Sequence, residues 1–446
     1  MSGTHLDGAA GARATPPADV AQRRLADALH ARRAASIDVS RKALADVWLA
    51  LWASRLAVWV VSVYAVLTVG FRPTGGAPHS GAPFGDLGEI ILGPAVRWDG
   101  AFYTSIALHS YHPGPVSAFF PFYPLTIAGL NVALGSVVVA GIAISIASFA
   151  VALYLLHRLV AIELGERYAR AAVLVLAFFP TSLFFSMVYP EALLVALTIG
   201  AVYSARTGHW ARAGILGALA SATHNSGILI AIPIALLYLY GPRADREQPC
   251  EGSLPWWRPR HPLRLEALWL LLAPFGLLAF FAYMQLEFHD ALRPLRLNEQ
   301  IWHRHFELLG GLTGSMSAVW HALHTIANAP SERLFPATNH PYRLAAINIV
   351  DAGALLYALI ATIGVIRMLP LAYSAYTVIA VVTLVSAPQA VEPLDSLPRY
   401  ILVLFPLQIC TAVWLEDRKR TLPWLACSGV LLGAFTMQFA TGRWVA

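Results

Sequence analysis

Long apolar runs alternate with short polar islands along this chain of 446 residues. A bilayer core about 30 Å thick calls for about twenty apolar residues in a helix. Runs near that length start at about residue 43, ending near 69, and then fill 125–159. Others lie near 170–187, 190–205, 211–223, 226–240, 265–286, 344–366, 370–387, 399–415 and 421–440. The 125–159 run is too long for one crossing and predicts a short helix followed by a full span. The pattern predicts an all-α polytopic membrane protein with about eleven crossings. Arg55 falls inside the first run. A charge there is costly, so it must face protein or snorkel to one surface.

Composition sharpens this. The chain is 57% hydrophobic and 13% charged, about half the charged share of a soluble domain. The net charge of +6 is spread over short loops, so it does not signal a nucleic-acid partner. Cys410 and Cys427 fall in apolar runs and Cys250 in a polar loop, which indicates neither a disulfide framework nor a cysteine metal site. His303 and His305 lack the i,i+4 spacing of helical metal ligands, so neither a metal nor a cofactor is expected.

Residues 1–43 are polar, without an apolar core of signal-peptide length. They predict a cytoplasmic tail with an amphipathic helix over Pro17–Ala35, ahead of a membrane domain over 44–446. Arginine-rich short loops recur at Arg158–Arg170, Arg206–Arg212, Arg243–Arg264, Arg367 and Arg418–Arg420. The opposite set, with Arg72, Arg97, Arg293, Arg333 and Arg399 among its members, is sparser. The positive-inside rule then puts the N-terminus in the cytoplasm and the C-terminus outside an inner cell membrane. It makes 70–118, 288–343 and 388–398 outer loops.

That sidedness sorts the polar islands. Arg97-Trp98-Asp99-Gly100, the Phe119–Pro124 segment, Tyr189-Pro190-Glu191, Thr223-His224-Asn225-Ser226-Gly227 and Pro398-Arg399-Tyr400 all fall outside. Each has a plain reading. Asp99 and Glu191 stand where helices begin and could serve as caps or charges there. His224 and Asn225 could be turn residues, and Arg399 an interface anchor. The rings of 119–123 could form an aromatic belt. The other reading is an active site on the outer face, with Asp99 as a catalytic carboxylate. Two prolines in Phe119–Pro124 favour a shallow, re-entrant path over an ordinary span.

Arg97-Trp98-Asp99-Gly100 with Phe102-Tyr103, followed by Ala118-Phe119-Phe120-Pro121-Phe122-Tyr123-Pro124, resembles bacterial members of the PIG-V type of mannosyltransferase. The likeness continues through Tyr189-Pro190-Glu191, Thr223–Gly227 and Pro398-Arg399-Tyr400, and covers the chain from about residue 44 onward. The family more often has arginine where His224 stands. The resemblance implies a GT-C type glycosyltransferase that takes a sugar from a polyprenyl-phosphate donor. The acceptor would be a lipid or a glycan, and the reaction would run on the extracytoplasmic face, among membrane lipids. It implies Asp99 as general base. Inverting transfer needs such a carboxylate for the acceptor proton and cations or N–H donors for the departing phosphate. Arg399 suits that phosphate, because a guanidinium binds it bidentately. Arg97 is a second candidate, or else a partner of Asp99 or Glu191. Trp98, Tyr123, Glu191, His224, Asn225 and Tyr400 complete the expected substrate site. The donor could carry another sugar. A secondary transporter or a non-catalytic envelope assembly protein are the readings of other classes; no internal repeat supports the transporter.

Overall fold

The structure, a computed structural model, describes residues 18–71, 81–246, 258–328 and 341–445. The start of the expected tail, with Pro17, lies outside the described residues, as do Arg72, Cys250, Arg333 and the segments 72–80 and 329–340 of two expected outer loops. Among the described residues the regular elements are helices, α or 3-10. The chain divides into a unit of residues 1–45 and one of residues 46–446; the site described below lies in the second.

Among the described residues four helical stretches are long and apolar enough to cross a membrane: Arg41–Val69, Val137–Glu163, Tyr342–Met368 and Thr421–Ala440. Leu265–Leu272 and Phe275–Phe288 form a fifth crossing if that pair, bent by 46°, is one span. Phe122–Leu134, Asn225–Tyr240 and Leu371–Val385 are apolar but shorter. Several runs read above as single spans are broken. The run at 170–187 ends as an α-helix at Ala177 and resumes as a 3-10 turn, Ser182–Phe185. The run at 399–415 divides into Leu397–Leu402 and Phe405–Asp417. Pro180 and Pro406 lie at these breaks, where proline is tolerated because it cannot donate within a helix. The expected loop 288–343 carries two helices, Arg293–Trp302 and Gly310–Asn328.

The 125–159 run does split as its length demands. Helix Phe122–Leu134 closes at Gly135, left-handed at φ 67°, whose N–H bonds to Asn131 O. Only a residue without a Cβ takes that conformation cheaply. Ser136 follows in an extended conformation, and its hydroxyl accepts from Val139 N to start Val137–Glu163. A C-terminal glycine and an N-cap serine thus turn the chain in two residues.

Arg55 faces protein. It is 1% exposed, with its guanidinium 4.8 Å from the Phe149 ring centroid. Nη1 donates to Ser182 O (2.6 Å) and Ser186 Oγ (3.0 Å); Nη2 donates to Ala177 O (3.0 Å) and Ser182 Oγ (3.1 Å). These carbonyls close helix Glu166–Ala177 and open the 3-10 turn after it. The charge is therefore spent on satisfying a helix end buried away from water. That turn leads directly into Tyr189-Pro190-Glu191.

Candidate active site

Helix Asp99–His109 begins with an unusual turn. Trp98 stands at φ 56°, ψ −122°, a conformation that costs a bulky residue about 1–3 kcal/mol and persists only where its surroundings over-determine it. They do so here. Val188 N donates to Ala95 O at 2.8 Å. Gly100 is packed so closely that a Cβ would meet Ala95 O at 3.2 Å and Val188 O at 3.4 Å. The buried Tyr189 hydroxyl donates to Arg97 O (3.0 Å) and accepts from Asp99 N–H (3.1 Å). Tyr189 thus pins the backbone on both sides of Trp98.

Trp98 is the N-cap and Asp99 the first residue of the helix, so Asp99 is not the cap its place in the sequence suggested. Its Oδ2 accepts from Arg399 Nη1 at 2.7 Å, across 300 residues of sequence. Glu191 stands at the start of helix Glu191–Arg206, behind Pro190, with Oε1 3.5 Å from Arg399 Nε. Two helix N-termini, each favouring negative charge, present an acidic residue to one guanidinium. Arg399 is 7% exposed. Its Nη2 lies 3.5 Å from Ser396 Oγ and 3.4 Å from the Tyr400 hydroxyl. Rings of Phe184, Tyr189, Tyr400 and Trp444 surround it at 5.2–5.6 Å.

A cavity of about 380 Å³ opens beside this cluster. Its wall includes Trp98, Asp99, Glu191, His224, Asn225, Arg399 and Tyr400, residues that four separate polar islands contribute. Phe119 and Phe120 of the aromatic segment also reach it. His224 ends helix Trp210–Thr223 in an extended conformation. Its turn is held tight by Gly227, where a Cβ would lie 1.9 Å from Ala220 O. Burial, then the charges of Arg399 and Arg304, push the imidazole pKa down to about 3, so the ring is neutral at pH 7. Nδ1 is engaged by Ser226, 2.8 Å from its Oγ and 3.2 Å from its backbone N, so Nε2 is the ring nitrogen left to meet a ligand. Asn225 accepts from Ser226 N–H through Oδ1, leaving its amide NH2 as a donor.

Two expected residues are placed elsewhere. Tyr123 is fully buried and is not part of the cavity wall. Its hydroxyl bonds to Gly141 O (3.2 Å) and Ser145 Oγ (2.8 Å), and its ring stands edge-on beneath Tyr103. The Arg97 guanidinium lies 3.3 Å over the Phe71 ring, and among the described residues it forms no ion pair with Asp99 or Glu191; Arg399 takes those carboxylates. Sequence reasoning passed over Asn298, Trp302, Arg304, Gln389, Glu392, Asp395, Ser396 and Trp444, all of which face the cavity. The signal was partial: Arg304 and the 392–400 segment stood on the expected outer face, with nothing local to distinguish them. No group of His, Cys, Asp and Glu suited to a metal ion occurs among the described residues.

Residues 83–238 match the family described as Mannosyltransferase (PIG-V). That region holds Asp99, Glu191 and His224 and stops short of Arg304 and Arg399. Three rodent proteins named GPI alpha-1,6-mannosyltransferase 2 are similar over part of the chain. The Mus musculus protein is 27% identical over 229 residues, 48% of this chain and 45% of its own. The Cricetulus griseus protein is 28% identical over 219 residues, 45% and 42%, and that of Rattus norvegicus 30% identical over 168 residues, 34% of each. The chain spans less than half the length of these curated relatives. The match to the PIG-V family thus falls on residues 83–238, where several of the motifs that resemble it stand. Among solved structures, the Archaeoglobus fulgidus oligosaccharyltransferase in complex with Zn and sulfate aligns at a TM-score of 0.38 and 11% identity, over 87% of this chain and 53% of its own. AglB from the same organism, in complex with an inhibitory peptide and a dolichol-phosphate, aligns at 0.39 and 12%, over 87% and 56%.

Proposed function

We propose that this protein is a GT-C type glycosyltransferase of the membrane. In this reading it moves a mannosyl residue from a polyprenyl-phosphate donor to a hydroxyl of a lipid or glycan acceptor, on the extracytoplasmic face, with inversion. The supporting observation is the state of Asp99. Its carboxylate stands in the first turn of the helix after the cap residue Trp98, Arg399 orients it through Oδ2, and it borders the cavity. Among the described residues no hydrogen bond reaches its other oxygen.

The chemistry asks little more of the chain. The acceptor oxygen attacks the anomeric carbon, the bond from that carbon to the phosphate oxygen breaks, and the acceptor proton passes to Asp99. Polyprenyl phosphate departs as an anion, and developing charge on it needs a cation; the wall holds two, Arg304 and Arg399. Arg399 fixes the Asp99 carboxylate in orientation through a charge-assisted bond. Glu191 shares that arginine from the other side. Trp98 and Tyr400 supply flat apolar faces for a sugar ring, with His224 and Asn225 to hydrogen-bond its hydroxyls.

Asp99→Asn tests the reading. Asparagine is isosteric but cannot take the proton, and loss of a general base costs about 10²–10⁴-fold in rate. Purified Asp99→Asn protein, mixed with radiolabelled polyprenyl-phosphate mannose and membrane lipid extract, should keep its fold and lose transfer. Near-normal transfer by the folded variant overturns the assignment.

A further inference from the structure

The cavity wall carries two guanidiniums, and their commitments differ. Arg399 is turned inward on protein groups: Nη1 binds Asp99, Nη2 reaches Ser396 and Tyr400, and Nε, buried and without a hydrogen bond, faces Glu191 Oε1 at 3.5 Å. Arg304 is used at one corner only. Its Nη2 donates to Asp395 O (2.8 Å) and to Asp395 Oδ2 (2.9 Å). Among the described residues its Nη1 and Nε make no hydrogen bond, and neither is a sealed, unsatisfied atom.

The chain is built to hold Arg304 in this way. Helix Arg293–Trp302 stops at His303, left-handed at φ 52°, which turns the next residue back toward the cavity. Asp395, 11% exposed, is saturated around it. Oδ2 also accepts from Gln389 Nε2 at 2.9 Å, and Oδ1 accepts from Trp444 Nε1 at 3.0 Å. Trp444 in turn stands edge-on to Trp98, centroids 5.4 Å apart, next to Asp99. The Tyr400 ring is shared, 5.6 Å from the Arg304 guanidinium and 5.2 Å from that of Arg399.

We propose that the phosphate of the lipid-linked donor binds Arg304, through Nη1 and Nε, and that Asp395 is the residue that positions this arginine. The inference rests on the transferase reading above and moves the phosphate from Arg399, where the sequence pointed, to Arg304. The physical reason is availability. Four carboxylates, Asp99, Glu191, Glu392 and Asp395, line the same cavity. An anion arriving among them needs N–H donors that no carboxylate already holds, and a two-nitrogen edge matches two phosphate oxygens. The division leaves Arg399 as the partner of the base. It gives each arginine one task, with the departing phosphate and the attacking hydroxyl on different guanidiniums.

Direct binding tests this without turnover. Farnesyl phosphate and mannose 1-phosphate are titrated into the purified full-length protein in detergent, for wild type, Arg304→Ala, Arg304→Lys and Arg399→Gln. Hydrogen bonds to a charged group support about a 10- to 100-fold effect. Arg304→Ala should weaken both ligands by that factor, and by the same factor, because the arginine meets the phosphate and not the chain. Arg304→Lys should recover part of the loss. Arg399→Gln should change binding much less. Asp395→Asn, which weakens the clamp while leaving the cation, should weaken binding by less than Arg304→Ala. Unchanged binding in a folded Arg304→Ala protein overturns the proposal, as does a larger loss in Arg399→Gln or a loss confined to farnesyl phosphate. Because these arms need no catalysis, they are separate from the fate of the transferase reading: wild-type protein that binds both phosphates through Arg304 and yet transfers no mannose sinks the latter alone.

Discussion

Arg55 and Arg399 are both almost wholly buried, 1% and 7% exposed, yet they belong to different kinds of environment. Arg55 is bonded to backbone carbonyls and serine hydroxyls, all neutral, at the end of one helix and the start of the next turn. Arg399 lies between two carboxylates that helix N-termini present, beside an open cavity. The first holds the chain together and the second holds a reactive group in place. A buried charge therefore points to chemistry when its partners are themselves ionised and a ligand can reach them. Burial alone does not separate the two.

The largest effect that can break this comparison is catalytic. Arg399→Gln leaves Asp99 and Glu191 as adjacent unpaired carboxylates, a situation in which one takes up a proton. Turnover should fall by at least about 100-fold, approaching the loss of the base itself. Arg55→Met should leave turnover per folded molecule unchanged. Equal losses in a mannosyl-transfer assay normalised to monodisperse protein would erase the distinction.

Stability should reverse the order of importance. Arg55→Met removes the donors to Ser182 O, Ser182 Oγ and Ser186 Oγ in a dry interior and leaves Ala177 O only its bond from Ser182 Oγ, and a buried polar group left unpaired costs about 1–3 kcal/mol. A loss of about 3 kcal/mol in unfolding free energy is expected, read from denaturation in detergent. A loss below 1 kcal/mol would show that water or other donors replace the guanidinium.

A smaller, pH-dependent effect belongs to His224. Its folded pKa of about 3 lies below the ordinary value of 6.5, so the unfolded chain takes up this proton first. The stability contribution is whole above about pH 6.5 and declines as pH falls from there toward 3. His224→Gln should flatten the stability curve between pH 6.5 and pH 5. An identical curve in variant and wild type would mean that the ring is protonated in place.

The smallest effect separates the cavity wall from the layer beneath it. Tyr123→Phe removes hydrogen bonds to Gly141 O and Ser145 Oγ and should cost about 1 kcal/mol of stability, with donor KM unchanged. A raised donor KM would return Tyr123 to the substrate site.

Tyr123 also shows where sequence reading stops. The aromatic run Phe119–Tyr123 stood beside the motif of Asp99, and proximity suggested one common role. In the structure Phe119 and Phe120 face the cavity while Tyr123, the second residue of Phe122–Leu134, faces the core. Arg97, two residues from Asp99 in sequence, lies across the Phe71 ring and is not part of the cavity wall. Asp99, Glu191, His224 and Arg399 were legible because each is a polar residue in apolar surroundings on one expected face. Arg304, Asp395 and Trp444 look locally ordinary, and their meaning comes from one another.

The helical class and the membrane-length apolar runs follow from local composition, because the bilayer imposes its thickness on each segment separately. The breaks at Gly135 and Pro406 are local too, since they depend on φ and on a missing N–H. The partner of Asp99 is of another order. It lies 300 residues away, and whether that aspartate meets an arginine depends on how helices Asp99–His109, Glu191–Arg206 and Leu397–Leu402 converge. The same convergence turns Arg399 inward between Asp99 and Glu191 and leaves two nitrogens of Arg304 without a protein hydrogen bond among the described residues, a difference that arises only when residues distant in sequence compete for the same few hydrogen-bonding positions.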